Sequence, residues 1–153
     1  MTIHIALYEP EIPPNTGNII RLCANTNSQL HLIEPLGFDM DTKKLRRAGL
    51  DYHEFTHVHM HKNFEAFLIA VKGQRLFGLS TKGTQRYTNI QYQSGDCLLF
   101  GPETRGLPES IREHQSMTDL LTIPMAPDSR SLNLSNSAAI VCLEAWRQLD
   151  FNY

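Results

Sequence analysis

Short apolar runs alternate with amphipathic stretches along the whole chain, and this alternation restricts the fold more than any other feature. The first pair is "IHIALY" at residues 3–8, typical of a buried strand, and "GNIIRLCAN" at residues 17–25, typical of a helix. Strands that alternate with helices predict an α/β fold, with helices on both faces of a mostly parallel sheet. The pattern runs without a linker through 153 residues, so residues 1–153 are predicted to form a single domain.

Further strands and helices continue the pattern. Strands are predicted for "LHLIEP" (30–35), "HVHM" (57–60), "RLFGLS" (75–80), "CLLF" (97–100) and "LLTIP" (120–124). Helices are predicted at residues 43–47, at 64–72 with an end at Gly73, at a short segment opening at Pro108, and at about 137–149. For the helix at 43–47, Asp41 is the predicted N-cap and Gly49 the residue that follows the C-cap.

Composition excludes several classes of protein. No apolar run is long enough to cross a membrane, and the first ten residues lack the basic start and small-residue cleavage site of a signal peptide. Three cysteines without a CxxC pair suggest neither a disulfide framework nor a zinc cage, and they fit a reduced, cytoplasmic setting.

A basic cluster, "KKLRR", stands out in a chain whose net charge is −2. With that net charge, a nucleic-acid partner would need a local basic patch, and this cluster is the one candidate. Its four cations are Lys43, Lys44, Arg46 and Arg47. Two interpretations stay open: a solvated helix with cations near its C-terminal dipole, or a phosphate-binding surface.

Two polar loops follow predicted strands in the C-terminal half. They are "LFGPETRGLP" at residues 99–108 and "SRSLNLSN" at residues 129–136, and "STKG" at 80–83 is a third glycine-containing loop. In a parallel sheet such loops meet at the carboxyl ends of the strands, where ligands bind. The first strand is followed by no GxGxxG, and no Walker A pattern occurs, so a cofactor site is predicted in the C-terminal half.

Three alternating histidines have two interpretations. On a strand, His57, His59 and His61 share one face, which could bind a metal. The preferred interpretation is the solvent face of an edge strand, with Val58 and Met60 facing inward, and no metal is expected.

The segment "NTGNIIR" places polar groups along one side of the first helix. Asn15, Asn18 and Arg21 are spaced three apart near its N-terminus. Amides and a guanidinium there can hold a phosphate or a sugar hydroxyl. The alternative is structural: Asn15 caps the helix and Arg21 is simply exposed.

Taken together, three segments resemble a known family. "NTGNIIR", "FGPETRGLP" and "IPMAPDSRSLNLSN" are similar, in order, to the three motifs of the SPOUT class of RNA methyltransferases. The closer resemblance is to its small bacterial members, the tRNA wobble-nucleotide (cytidine/uridine) 2′-O-methyltransferases. "RRAGLDYHEF" and "EAWRQL" extend it over nearly the whole chain, although Leu143 stands where similar sequences often carry Tyr.

This resemblance implies a fold and a cofactor. The C-terminal part is expected to be tied into a deep trefoil knot, in which three loops hold S-adenosylmethionine, with S-adenosylhomocysteine as the product and no metal. The matching cofactor positions are Leu79, Thr81, Gly101, Glu103, Ile123, Met125, Ser131 and Leu132. Glu103 is also expected to shape the second-motif loop.

The resemblance also implies a reaction, methylation of the ribose 2′-hydroxyl of the wobble nucleotide in a tRNA anticodon loop. The family credits the first-motif arginine, Arg21 here, with activating that hydroxyl. A guanidinium is a poor base, so Arg21 is expected to stabilise the forming alkoxide or to orient a phosphate that accepts the proton. The expected catalytic residues are Asn18, Arg21, Ser131 and Asn133. The expected RNA-binding residues are Lys43, Lys44, Arg46, Arg47 and Arg105.

Two other functions remain open at this point. One is a 2′-O-methyltransferase that acts on ribosomal RNA, and the other is a non-catalytic RNA-binding protein that kept the cofactor pocket.

The last helix predicts a partner subunit. Its sequence, "SAAIVCLEAWRQL", is apolar almost all round, and one small domain is not expected to cover every face. The apolar side chains are Ala138, Ile140, Val141, Leu143, Ala145, Trp146 and Leu149. A homodimer with this helix near its two-fold axis is therefore predicted, as the resemblance also implies.

Overall fold

A computed structural model describes residues 2–152, in which seven parallel strands form one sheet. The strands are β1 (His4–Tyr8), β2 (Gln29–Ile33), β3 (Val58–His61), β4 (Leu76–Leu79), β5 (Gln85–Arg86), β6 (Cys97–Phe100) and β7 (Asp119–Thr122). They pair in the order β3-β2-β1-β6-β4-β7-β5. Every pairing is parallel, which confirms the predicted sheet.

Residues 2–152 form six α-helices, of which five lie between strands and the sixth follows the last strand. They are α1 (Pro13–Thr26), α2 (Thr42–Arg47), α3 (Tyr52–Phe55), α4 (Phe64–Ala70), α5 (Glu109–Arg112) and α6 (Leu134–Gln148). The two-residue β5 and the four-residue α3 were not predicted because elements so short leave no periodic pattern, and α3 lacks the proline that marks the start of the equally short α5. Helix α6 begins three residues earlier than predicted, because Asn133 caps it.

The strands alternate their side chains between two cores, one on each face of the sheet. In β1, Ile5 and Leu7 belong to the core beneath α1 and α6, whereas Ala6 belongs to the core beneath α4 and α5. Helices therefore cover both faces, as predicted.

Helix α6 is covered more completely within one chain than its composition predicted. Ala138, Val141 and Ala145 are fully buried, because α6 packs on α1 and on the sheet. The expectation that these three need a partner subunit is wrong. Leu143 remains 38% exposed on the same helix.

Strand β3 lies at the edge of the sheet, as predicted, and Val58 and His59 take the predicted inward and exposed positions, whereas Met60 does not. Val58 packs against the core, whereas Met60 is exposed. His31 of β2 lies on the histidine face, where its ring stacks on those of His59 and His61. The histidine face is not wholly open to solvent, because His31 and Phe67 lie against His61. Among residues 2–152, no cluster of His, Cys, Asp and Glu could hold a metal ion.

The C-terminal half contains a close crossing of two segments. Strand β7 lies between β4 and β5, and a Cβ atom at Gly83 would lie 2.4 Å from the carbonyl carbon of Leu121. This strand order is compatible with the knot that the resemblance implies, and the knot itself stays a prediction.

Candidate functional site

A cavity of about 320 Å³ opens at the carboxyl ends of β4, β6 and β7. The loops after these three strands form its wall, at the edge of the sheet where parallel folds bind ligands. All eight positions matched to a cofactor contribute to the lining: Leu79, Thr81, Gly101, Glu103, Ile123, Met125, Ser131 and Leu132. The second and third motifs and the loop after β4 thus converge on one pocket.

The pocket wall combines apolar and polar groups. Met125 and Leu132 are apolar side chains that stay exposed, while Thr81 and Ser131 add hydroxyls. Exposed apolar walls with a few polar groups are typical of small-molecule sites. Bound ligand would cover the two apolar side chains.

Gly101 lies where the loop after β6 folds back on itself. A Cβ atom there would lie 2.2 Å from the backbone nitrogen of Leu107 and 2.4 Å from the carbonyl carbon of Gly106. A larger residue at position 101 would therefore disrupt the loop itself and not only crowd a bound ligand. The loop's own backbone requires a glycine.

Glu103 joins the pocket to the start of α1. Its carboxylate accepts hydrogen bonds from the backbone N–H groups of Glu11 (2.8 Å) and Ile12 (2.6 Å) and from the side-chain amide of Asn15 (3.3 Å). Glu103 therefore binds the backbone that leads into α1, whose N-cap, Ile12, forms no side-chain cap.

Asn15 is buried in the first turn of α1 and does not cap it, so the capping interpretation is wrong. Its side-chain oxygen accepts a hydrogen bond of 3.0 Å from the amide of Asn133. Through Asn15, the start of α1 is connected to the loops after both β6 and β7.

Glu11, which donates its backbone N–H to Glu103, also binds that loop through its own side chain. The sequence did not single it out. Its carboxylate accepts hydrogen bonds from the backbone N–H (2.9 Å) and the hydroxyl (2.8 Å) of Thr104. These bonds lower the pKa of Glu11 below its ordinary value. Arg105 of this loop lines the pocket and pairs with Glu9 at 3.4 Å.

Asn133 is the N-cap of α6. Its side-chain oxygen accepts hydrogen bonds from the backbone N–H groups of Ser135 (2.9 Å) and Asn136 (3.3 Å). Both polar atoms of its amide are therefore engaged within the fold, whereas Ser131 lines the pocket wall and forms no hydrogen bond with any of residues 2–152.

Arg21 and Asn18 lie outside the pocket lining, on the exposed side of α1. Arg21 is six residues beyond Asn15, about 9 Å further along the helix axis. Its guanidinium donates to the carbonyl of Gly49 and pairs with Glu54 at 3.3 Å. The first motif thus runs from a pocket contact at Asn15 to an exposed cation at Arg21.

The basic cluster forms α2, beside Arg21. Asp41 caps this helix by accepting from the Lys43 N–H at 2.9 Å, and Gly49 follows its C-cap with φ of +92°, both as predicted. The four cations are exposed, and within the described part of the chain no carboxylate pairs with any of them. They are Lys43, Lys44, Arg46 and Arg47. Their charge is available to a polyanion.

Comparison with protein families and curated sequences gives a consistent result. The model of the SpoU rRNA methylase family matches residues 2–143. The chain is 62% identical over 149 residues to tRNA (cytidine(34)-2′-O)-methyltransferase of Escherichia coli strain K12, covering 97% of this chain and 95% of that one. It is 58% identical over 147 residues to the same-named protein of Methylovorus glucosotrophus, covering 96% of each.

Solved structures are similar over the same span. One, described as giving structural insights into the 2-OH methylation of C/U34 on tRNA, has a TM-score of 0.88 at 43% identity, covering 99% of this chain and 98% of that one. An AdoMet-bound rRNA methyltransferase from Sinorhizobium meliloti has a TM-score of 0.84 at 26% identity, covering 97% of this chain and 57% of that one. In residues 2–152, no helix combines the length and hydropathy that a membrane crossing requires.

Proposed function

The chain belongs to the SpoU rRNA methylase family, and we propose from this premise that it methylates the 2′-hydroxyl of the wobble nucleotide, cytidine or uridine 34, of tRNA. The observation that carries the proposal is identity of 58% and 62% to tRNA (cytidine(34)-2′-O)-methyltransferases along nearly the whole chain. The pocket at the ends of β4, β6 and β7 supports the same reaction, because the loops that carry the second and third motifs meet there with the loop after β4.

The pocket residues fit S-adenosylmethionine. Exposed Met125 and Leu132 offer apolar cover for an adenosine moiety, and Thr81 and Ser131 offer hydrogen bonds to its polar groups. The cofactor supplies a methyl group that is already activated by its sulfonium. What remains for the protein is to orient the ribose hydroxyl and to help it lose its proton.

Arg21 serves that second task from the rim. Its cationic guanidinium stabilises the developing negative charge on the ribose oxygen, or orients a phosphate that takes the proton. Asn18 and Ser131 are proposed to hydrogen-bond the nucleotide, whereas Asn133 holds α6 and Asn15 in position. The need for a 2′-hydroxyl restricts the substrate to RNA.

Exposed residues of the surface indicate an RNA partner and a second subunit. The cations of α2 and Arg105 are proposed to bind the phosphates of the anticodon loop. Leu143 on α6 is proposed to lie in a homodimer interface, supported by its exposure as a large apolar side chain. The three cysteines are free and buried, which supports a cytoplasmic location.

The deciding experiment is transfer of labelled methyl from S-adenosylmethionine to purified tRNA and rRNA, with cofactor binding measured separately by calorimetry. We expect label at nucleotide 34 of tRNA and none on rRNA. Label on rRNA alone would support an rRNA methyltransferase, and cofactor binding without transfer to either RNA would support a non-catalytic binding protein.

A further inference from the structure

Arg21 is held by one nitrogen only. Nη2 donates to the carbonyl of Gly49, which follows α2, and also pairs with the carboxylate of Glu54 on α3 at 3.3 Å. Within residues 2–152, Nε and Nη1 form no hydrogen bond. The guanidinium is thus fixed at one end, and its remaining donors are available.

The two partners of this ion pair are buried unequally. The Arg21 side chain is 49% exposed, whereas that of Glu54 is 17% exposed. The second carboxylate oxygen of Glu54, Oε2, is buried without a hydrogen-bond partner among the described residues. Removing a carboxylate oxygen from water without giving it a hydrogen bond is unfavourable. An ion pair that served only to stabilise the surface would therefore leave this oxygen in water.

The local structure of α3 holds Glu54 in place. Asp51 caps the helix by accepting from the backbone N–H of Glu54 at 3.2 Å. Helix α3 packs on α1, which brings Glu54 to Arg21. A four-residue helix with its own cap therefore orients one carboxylate toward one arginine.

We propose that Glu54 is a positioning residue for the methyl transfer: it holds Arg21 through Nη2 so that Nε and Nη1 point to the RNA. This rests on the proposed function. Glu54 acts through Arg21 and is not itself the base, because its free oxygen is buried where a ribose hydroxyl does not reach. Without Glu54, the long arginine side chain samples other rotamers. Nε and Nη1 then point toward the bound RNA for a smaller fraction of the time.

The test compares Glu54→Gln with wild type at saturating S-adenosylmethionine. We expect kcat for tRNA to fall roughly 10- to 100-fold, because a small misplacement of a catalytic group costs that much. Cofactor affinity is expected to stay unchanged, since neither Glu54 nor Arg21 lines the pocket. Glu65→Gln is the matched control, an exposed carboxylate on α4 across the sheet from α1, and it should leave kcat unchanged.

A double-mutant cycle separates positioning from an independent role. In an Arg21→Ala background, Glu54→Gln should lower kcat no further, because the residue it positions is gone. If the two losses multiply, or if Glu54→Gln alone has the wild-type kcat, the proposal is overturned. Glu54→Asp keeps the charge but retracts it, so its kcat should lie between those of wild type and Arg21→Ala. If the Gln variant folds poorly, this comparison decides the matter, and a wild-type kcat in Glu54→Asp overturns the proposal. Failure of wild type itself to methylate tRNA would overturn the proposed function instead.

Discussion

At the residue scale, the conformation of the loop after β6 requires that residue 101 have no side chain, as Gly101 does. We expect Gly101→Ala to abolish S-adenosylmethionine binding, because its Cβ would lie 2.2 Å from the Leu107 nitrogen and the loop must rebuild. Calorimetry measures the affinity. Gly73→Ala is the control: its φ of +87° is also left-handed, but no atom lies within 4 Å of the added Cβ, so binding should persist. Unchanged affinity in a folded Gly101→Ala protein would contradict the pocket assignment.

His31 gives the fold a dependence on pH. Burial, together with the neighbouring His4, His61 and His59, lowers the pKa of His31 to about 3. In the unfolded chain His31 takes up a proton near pH 6.5, but in the folded protein only near pH 3. Its contribution to the free energy of unfolding is therefore complete above pH 6.5 and is lost as the pH falls toward 3. From pH 7 to 4.5 we expect the free energy of unfolding to fall by about 2 kcal/mol through this residue.

Urea unfolding of wild type and His31→Gln at both pH values measures this contribution. The variant should lose less stability on acidification, even though His4 and His61, whose pKa values are also lowered, still contribute. Exposed His53→Gln should behave like wild type. Equal pH dependence in wild type and His31→Gln would show that His31 is not the source.

At the scale of elements, the cap of α6 also organises the site. Asn133→Ala should destabilise the fold by about 1 kcal/mol, because Ser135 and Asn136 lose their acceptor. Asn133→Ser should restore the cap and most of that stability. We expect methyl transfer to fall in both variants, because neither retains the amide that holds Asn15. A Ser variant with full activity would show that Asn133 acts only as a cap.

Helix α2 is expected to bind phosphates. Replacing Arg46 and Arg47 with Ala should weaken tRNA binding and reduce the slope of log affinity against log salt by about 1 to 2, since each phosphate contact contributes less than one. Filter binding at several salt concentrations measures both. The double variant Lys62→Ala, Lys72→Ala is the charge-matched control and should keep the wild-type slope. An unchanged slope in the α2 variant would favour the solvated-helix interpretation.

At the scale of the whole molecule, the proposed dimer is best tested at Leu143. Val141 is fully buried within one chain, so Val141→Glu would place a charge in the core and unfold the subunit. Leu143 is 38% exposed, so Leu143→Glu should fold. We expect sedimentation to show a dimeric wild type and a monomeric Leu143→Glu with reduced transfer. An active wild-type monomer would contradict the dimer proposal.

The sequence by itself determined those features that depend on residues close along the chain or on general rules of parallel sheets. Alternating patterns predicted six of the seven strands, and Asp41 and Gly49 predicted the ends of α2, because caps act within a few residues. The convergence of the three loops on one pocket was also predictable, since carboxyl ends of parallel strands share an edge. The resemblance then supplied the cofactor and the reaction.

Only the tertiary structure decided which side chains meet across the chain. Glu103 accepts hydrogen bonds from the backbone of Glu11 and Ile12, about ninety positions earlier, and Glu54 reaches Arg21 from a four-residue helix that was not predicted. Val141 is buried and Leu143 exposed on one helix that is apolar almost all round, because α1 covers only part of it. Local periodicity indicates which side of an element is apolar but not which element packs against that side. These side-chain contacts are therefore visible only in the tertiary structure.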